Sequence, residues 1–217
     1  MDVKDSEALA TKRKGALWAS ERAGRRLQKV GVLAALSTGA IMTQPHLALG
    51  LPGHRALMWL ALLFIMRLVG GPGWATVVGL ASAVGTLAIG RSPDGSFWGV
   101  LQYVVAGFGV DALLWARPAL AAGAARMAAL GAAILLSVGW ITPLGKSFFG
   151  AGADPHTVWL SITDVQPSAW IRLVGFDTLF GAGAGLIAYG LVHGLSAMAA
   201  HRRRRPGEGL APAGSRP

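Results

Sequence analysis

The sequence predicts an all-α integral membrane protein, a bundle of six transmembrane helices with both termini in the cytoplasm. Three observations carry this expectation. Hydrophobic residues make up 53% of the chain and charged residues only 14%, with a mean hydropathy of +0.50; a soluble domain carries about 25% charge. Apolar runs follow one another over residues 56–69, 72–89 and 97–115. The breaks between them are rich in Gly and Pro, which end helices and favour tight turns. Lys and Arg, finally, are distributed unevenly between the two sides that such a hairpinned chain would have. Lipid offers the backbone no water to bond to, so a long apolar run must be helical.

Residues 1–29 hold eight Lys/Arg and four Asp/Glu, with Leu9, Leu17, Trp18 and Leu27 among them. They read as a basic, partly helical cytoplasmic tail, either solvated or lying on the membrane as an amphipathic helix. The charged region is too long for a signal peptide, and no small-x-small cleavage site follows the apolar run. The membrane domain occupies residues 30–198, and an Arg-rich cytoplasmic tail occupies 199–217. The first span covers about 30–43 and ends at Gln44-Pro45-His46. Spans two to four are the runs named above. The fifth covers about 119–141, and the sixth about 170–198. Between these two lies a polar segment, 142–169, with Pro143, Pro155 and Pro167. A loop of that length is usually functional or disordered.

Six spans put both termini on one side. That side would hold sixteen Lys/Arg, and the other would hold four, Arg55, Arg91, Lys146 and Arg172. The positive-inside rule then places both termini in the cytoplasm, as expected for a multi-pass protein of the inner, or cell, membrane. The cluster Arg202–Arg205 reads as part of this topology signal and not as a nucleic-acid site.

No enzyme is expected. The chain lacks Gly-x-Ser-x-Gly, His-Glu-x-x-His and the Gly-x-x-x-x-Gly-Lys-Ser/Thr phosphate loop. It has no Cys, hence no thiol or disulfide chemistry. No cofactor is implied. His46, His54, Asp154, His156 and Asp164 collect in the outer segments, but no pair has a metal-ligand spacing, so no metal site is assigned.

Charge inside the membrane is expensive, so the intramembrane ionisable residues stand out. Arg67 lies twelve residues after Arg55, and Asp111 fourteen after Phe97. At 1.5 Å per residue both reach about 18–21 Å depth. A structural ion pair is the simplest reading, with Arg67, Arg117 or Arg126 as the cation. Asp177 lies seven residues after Trp170, about 10 Å from the outer side, with no cation one turn away. Trp98 and Gln102 are four apart at the outer start of the fourth span, on one helix face. Together with Gln44 and His46 they outline an outer cavity. It would be walled by the outer ends of the first, fourth and sixth spans, and covered by residues 44–55 and part of 142–169. Aromatics beside amides and acids suit a small, ring-containing organic solute. The substrate-binding candidates are therefore Gln44, His46, Trp98, Gln102, Trp170 and Asp177.

Small residues recur every four positions: Gly31, Ala35 and Gly39; Ala75, Gly79 and Ala83; Gly181 and Gly185; Gly190 and Gly194. A bare helix face admits a second backbone. Each can be an internal packing face or a docking face for another membrane protein.

Six short Gly/Ala-rich spans, cytoplasmic termini and no ATPase motif resemble the substrate-binding (S) component of energy-coupling factor (ECF) transporters. The likeness covers about residues 30–198. It is carried by Leu51-Pro52-Gly53 through Arg67, by the run from Gly73-Trp74 to Gly79, and by Tyr103 through Asp111 with Leu113-Leu114. The resemblance implies a six-helix bundle that captures a vitamin or a metal ion near its outer face, under the loop joining the first two helices. It also implies docking, through small residues of the first helix, onto a transmembrane coupling protein driven by two cytoplasmic ATPases. Gly31, Ala35 and Gly39 occupy those docking positions. Metal-specific members carry His beside the initiator Met; here residue 2 is Asp2, which argues against nickel or cobalt. Alternatives are a divalent-metal S component, a scaffold of an envelope complex, and a membrane enzyme of unrecognised motif.

Overall fold

A computed structural model describes residues 3–43, 54–90, 97–141, 144–145 and 167–204. Among these the chain is all-helical, with no strand. The helices are α1 (Val3–Thr43), α2 (His54–Gly70), α3 (Trp74–Ala88), α4 (Phe97–Ala116), α5 (Ala124–Gly139) and α6 (Pro167–Arg204), with a 3-10 turn at Pro118–Ala122 between α4 and α5. Two stretches are long and apolar enough to cross a membrane, Phe97–Ala116 and Val174–His201. Trp74–Ala88 and Ala124–Gly139 are apolar but shorter.

Two boundaries differ from the expectation. The polar tail and the first apolar run form one continuous helix of 41 residues. Polarity changes near residue 29, but the helix does not break there, because Ala, Leu, Glu, Lys and Arg fill the first part and Ala and Leu carry helix propensity into the second. The fifth helix starts at Ala124, not near 119. Pro118 opens the 3-10 turn and Gly123 closes it in an extended conformation.

Helix α2 is the hub and packs against all five other helices. Its sequence, HRALMWLALLFIMRLVG, is apolar on every side but for its ends, and such a helix belongs in a core or a membrane. Leu60, Leu63, Phe64 and Met66 are completely buried. Trp59 meets Tyr103 of α4 edge-to-face at 5.4 Å. Around this hub, α1 packs on α3 and α2, α4 on α3, α2 and α5, and α6 on α5 and α2. The outer surface carries exposed apolar side chains, including Leu36, Val84, Phe108, Leu179 and Leu195. Exposed apolar side chains on several helices fit the weak membrane signal of the two long apolar stretches.

Two helix pairs close through glycine. In α3–α4, a Cβ on Gly79 would strike the Tyr103 carbonyl, and one on Gly107 would approach Thr76 Cα at 3.2 Å. In α5–α6, a Cβ on Gly131 would strike the Gly181 carbonyl, and one on Gly185 the Met127 carbonyl. The obstacle in each case is backbone, which cannot swing aside. Gly185→Ala and Gly131→Ala should therefore force these helices apart. The expected loss is about 1–3 kcal/mol, as for other overpacked cores. Thermal unfolding in detergent should show a lower midpoint for both, and an unchanged midpoint for Gly194→Ala, whose Cβ meets open space.

Candidate functional site

One end of the bundle is organised by Asp111. The turn between α2 and α3 needs glycine: Gly71 and Gly73 sit at φ 102° and 87°, in the left-handed region. Gly73 is the N-cap of α3 and has no side chain to cap it. Asp111, reaching across from α4, supplies what is missing. Its Oδ2 accepts a 2.8 Å hydrogen bond from the Thr76 backbone N–H and a 2.7 Å bond from the Thr76 hydroxyl. Its Oδ1 lies 3.2 Å from Arg67 Nε, in the last turn of α2. This last contact is Coulombic, because its angles do not meet hydrogen-bond geometry. Both side chains are largely buried, at 14% and 11% exposure. The structure thus brings Arg67 and Asp111 together, while Arg126 instead donates to the Ala119 carbonyl at 3.1 Å.

The substrate-binding candidates are only partly within the described residues. Gln44 and His46 lie outside the described residues, as do most of the two segments expected to cover a cavity. Trp170 falls in the first turns of α6, but its side chain is outside them too. Trp98 is partly buried, edge-on to Phe97 at 5.6 Å, and its indole lies against Gly145. Gln102, one turn along, is partly buried and already engaged within the chain. Asp177 is half-buried on α6, beside the stacked pair Phe176 and Phe180. Its Oδ2 is inaccessible yet has no hydrogen-bond partner among the described residues. The helices that would wall a cavity, α1, α4 and α6, are arrayed around α2 and do not form packed pairs with one another.

The small residues divide into occupied and open faces. Gly79, Gly181 and Gly185 face backbone, as above. Gly31, Gly39, Gly190 and Gly194 face nothing within 4 Å among the described residues. Ala35 and Gly39 are exposed, with Val32 and Leu36 beside them, while the other side of α1 buries Val30, Ala34, Ser37 and Ile41.

The structure adds residues that the sequence did not single out. Thr76 is a partner of Asp111, and nothing in its local pattern marks it. Ser37, Ser82 and Thr86 are buried at 2%, 0% and 1% exposure, and their hydroxyls have no partner among the described residues. All three belong to α1 and α3, which pack together. Among the described residues no three His, Cys, Asp or Glu side chains gather as a metal site would require.

No family model, no curated protein and no solved structure matches the chain.

The clamp makes a direct prediction. Asp111→Ala leaves Arg67 buried without its counter-charge and uncaps α3, and should cost about 3–5 kcal/mol, the range for breaking a buried ion pair. Thr76→Val removes only the neutral hydroxyl bond and should cost about 1 kcal/mol. Denaturant titration followed by circular dichroism would rank them; equal losses would show that the charge is not what holds the turn.

Proposed function

We propose that this chain is the membrane-embedded substrate-capture component of an ECF-type uptake transporter. It takes a small organic solute, a vitamin or cofactor precursor, from the outer face and passes it through a partner coupling protein and ATPases. The observation that carries this reading is the contrast between small-residue faces. Those of the α3–α4 and α5–α6 pairs are filled by a neighbouring backbone, whereas the face of Gly31, Ala35 and Gly39 on α1, like that of Gly190 and Gly194, has nothing packed on it among the described residues. Lipid provides no hydrophobic drive between helices, so a bare face of this kind suits association by close backbone approach. Asp177 supports the solute half of the reading: its buried Oδ2 has no hydrogen-bond partner among the described residues, and a polar group on a captured solute would supply one.

In this reading all six helices cross the bilayer. The three shortest, α2, α3 and α5, have 17, 15 and 16 residues, or about 23–26 Å at 1.5 Å each. A bilayer core of about 30 Å accommodates them by thinning locally. Both termini are then cytoplasmic, and cysteine labelling checks this. Ser147→Cys should react with an impermeant maleimide on intact cells, and Ser215→Cys should not.

The function itself is tested by mass spectrometry of small molecules that copurify with the detergent-solubilised chain, followed by calorimetry with the molecule identified. Asp177→Asn should weaken its binding more than tenfold, about 1.4 kcal/mol. Ala35→Leu should leave solute binding and thermal stability unchanged while abolishing association with the coupling protein. A scaffold would bind no solute. Loss of folding in Ala35→Leu would assign the face to internal packing.

A further inference from the structure

We propose that the arginine end of the bundle carries a phosphate-binding cleft, formed by Arg26 and Arg67. The cleft has a volume of about 170 Å³ and is lined by Arg26, Arg67, Leu68, Gly71, Leu114, Pro118 and Ala121. One water needs about 10–15 Å³ measured in this way, so a phosphate group fits with room for part of what it is attached to.

The two arginines contribute differently. Arg67 is neutralised by Asp111, but only its Nε faces that carboxylate. A guanidinium carries five N–H donors in a planar fork, and the four on its Nη atoms make no hydrogen bond among the described residues. Arg67 is therefore a fixed, directional donor, held rigid by the clamp. Arg26 is exposed and has no ion-pair or hydrogen-bond partner among the described residues. Among the described residues it supplies the charge that no acid offsets. Of the described side chains at this end, Arg25, Arg26, Lys29, Arg67, Arg117 and Arg126 are cationic, and Asp111 is the one acid. The field in the cleft is thus positive, and forked guanidinium groups match phosphate oxygens in geometry as well as charge. The remaining walls, Leu68, Leu114, Pro118 and Ala121, are apolar. They lower the local dielectric and strengthen the pairing, and they suit a phosphate that carries an apolar or neutral substituent.

Phosphate of this kind comes either from a phospholipid headgroup or from solution. The lipid source rests on the membrane reading given under Proposed function. Neither source involves Asp177 or the open face of α1, so failure here leaves solute capture standing.

The test uses the full chain. In neutral detergent, equilibrium dialysis with radiolabelled inorganic phosphate measures the soluble source. After reconstitution in nanodiscs of phosphatidylcholine and phosphatidylglycerol, native mass spectrometry of the released protein measures retained phosphatidylglycerol. Arg26→Gln should lower one of these by tenfold or more, because Arg26 holds the charge and makes no contact on which the fold depends. Ala121→Glu, which places a carboxylate in the cleft, should do the same. Arg55→Gln makes the same charge change as Arg26→Gln, at the far end of the bundle, and should have little effect. Saturable phosphate binding lost in Arg26→Gln assigns the free anion. Phosphatidylglycerol retention lost in Arg26→Gln, without phosphate binding, assigns the headgroup. Equal losses in Arg26→Gln and Arg55→Gln, or no binding of either probe by the unmodified chain, would overturn the site.

Discussion

The carboxylate of Asp111 is the point on which the geometry of three helices depends. It answers the end of α2 through Arg67, the start of α3 through Thr76, and belongs itself to α4. The first N–H groups of any helix lack intrahelical partners, and the helix dipole makes that end favour negative charge. A turn built of Gly70, Gly71, Pro72 and Gly73 has no Ser, Thr, Asp or Asn to cap with. Its tightness and its lack of a local cap are two sides of one composition, and Asp111 resolves both from a distance. The same contact fixes register. With Asp111 on Thr76, Gly107 lies over the backbone of Ala75 and Thr76, and Gly79 over Tyr103. Sliding α4 by one residue would bring Phe108 or Ala106 to where only glycine fits.

Close packing of this type is what a helix bundle needs where water is absent. Leu against lipid is as comfortable as Leu against Leu, so helices associate through backbone proximity and polar contacts. The α3–α4 pair uses both, and α5–α6 uses proximity alone, through Gly131, Gly181 and Gly185. Helix α1 stands apart. It has 41 residues, about 60 Å at 1.5 Å each and twice a bilayer core. Its contacts with α2 and α3 use one side, through Val30, Ala34, Ser37 and Ile41. The other side presents Ala35 and Gly39, exposed and with no described residue packed on Gly39.

Much of the fold was legible because it depends on counting. Helical breaks at Gly and Pro locate the turns, and residue counts from helix starts put Arg67 and Asp111 at equal depth, where the structure pairs them. Neighbour relations were not legible. Every candidate span is apolar on most of its circumference, so periodicity does not say which faces which, and the central place of α2 emerges only in three dimensions. The same reason separates the candidates for a solute site. Trp98 and Gln102 share a helix face with certainty, because that is local geometry. Whether they share a cavity with Asp177 depends on how α4 and α6 are disposed around α2. Thr76 escaped notice for a further reason: its role is to receive a cap from a residue 35 positions away, and no local pattern encodes that.

The two described acidic side chains, Asp111 and Asp177, make the division between fold and function concrete. Both are aspartates on apolar helices, and both hold oxygens away from solvent. Burying a carboxylate is costly unless donors replace the lost water. At Asp111 the fold gives Oδ2 an amide and a hydroxyl from Thr76 and sets a guanidinium charge 3.2 Å from Oδ1, so the residue is accounted for as a structural joint. At Asp177 the described residues supply nothing to Oδ2, although α6 packs on both α5 and α2. Helices nearby are not what Asp177 lacks; it differs from Asp111 in that no described donor or cation is placed on its buried oxygen. A buried oxygen without a donor is where a polar group of a captured solute gains most, and for that reason the proposed solute site is sought at Asp177 and not at the cluster around Asp111.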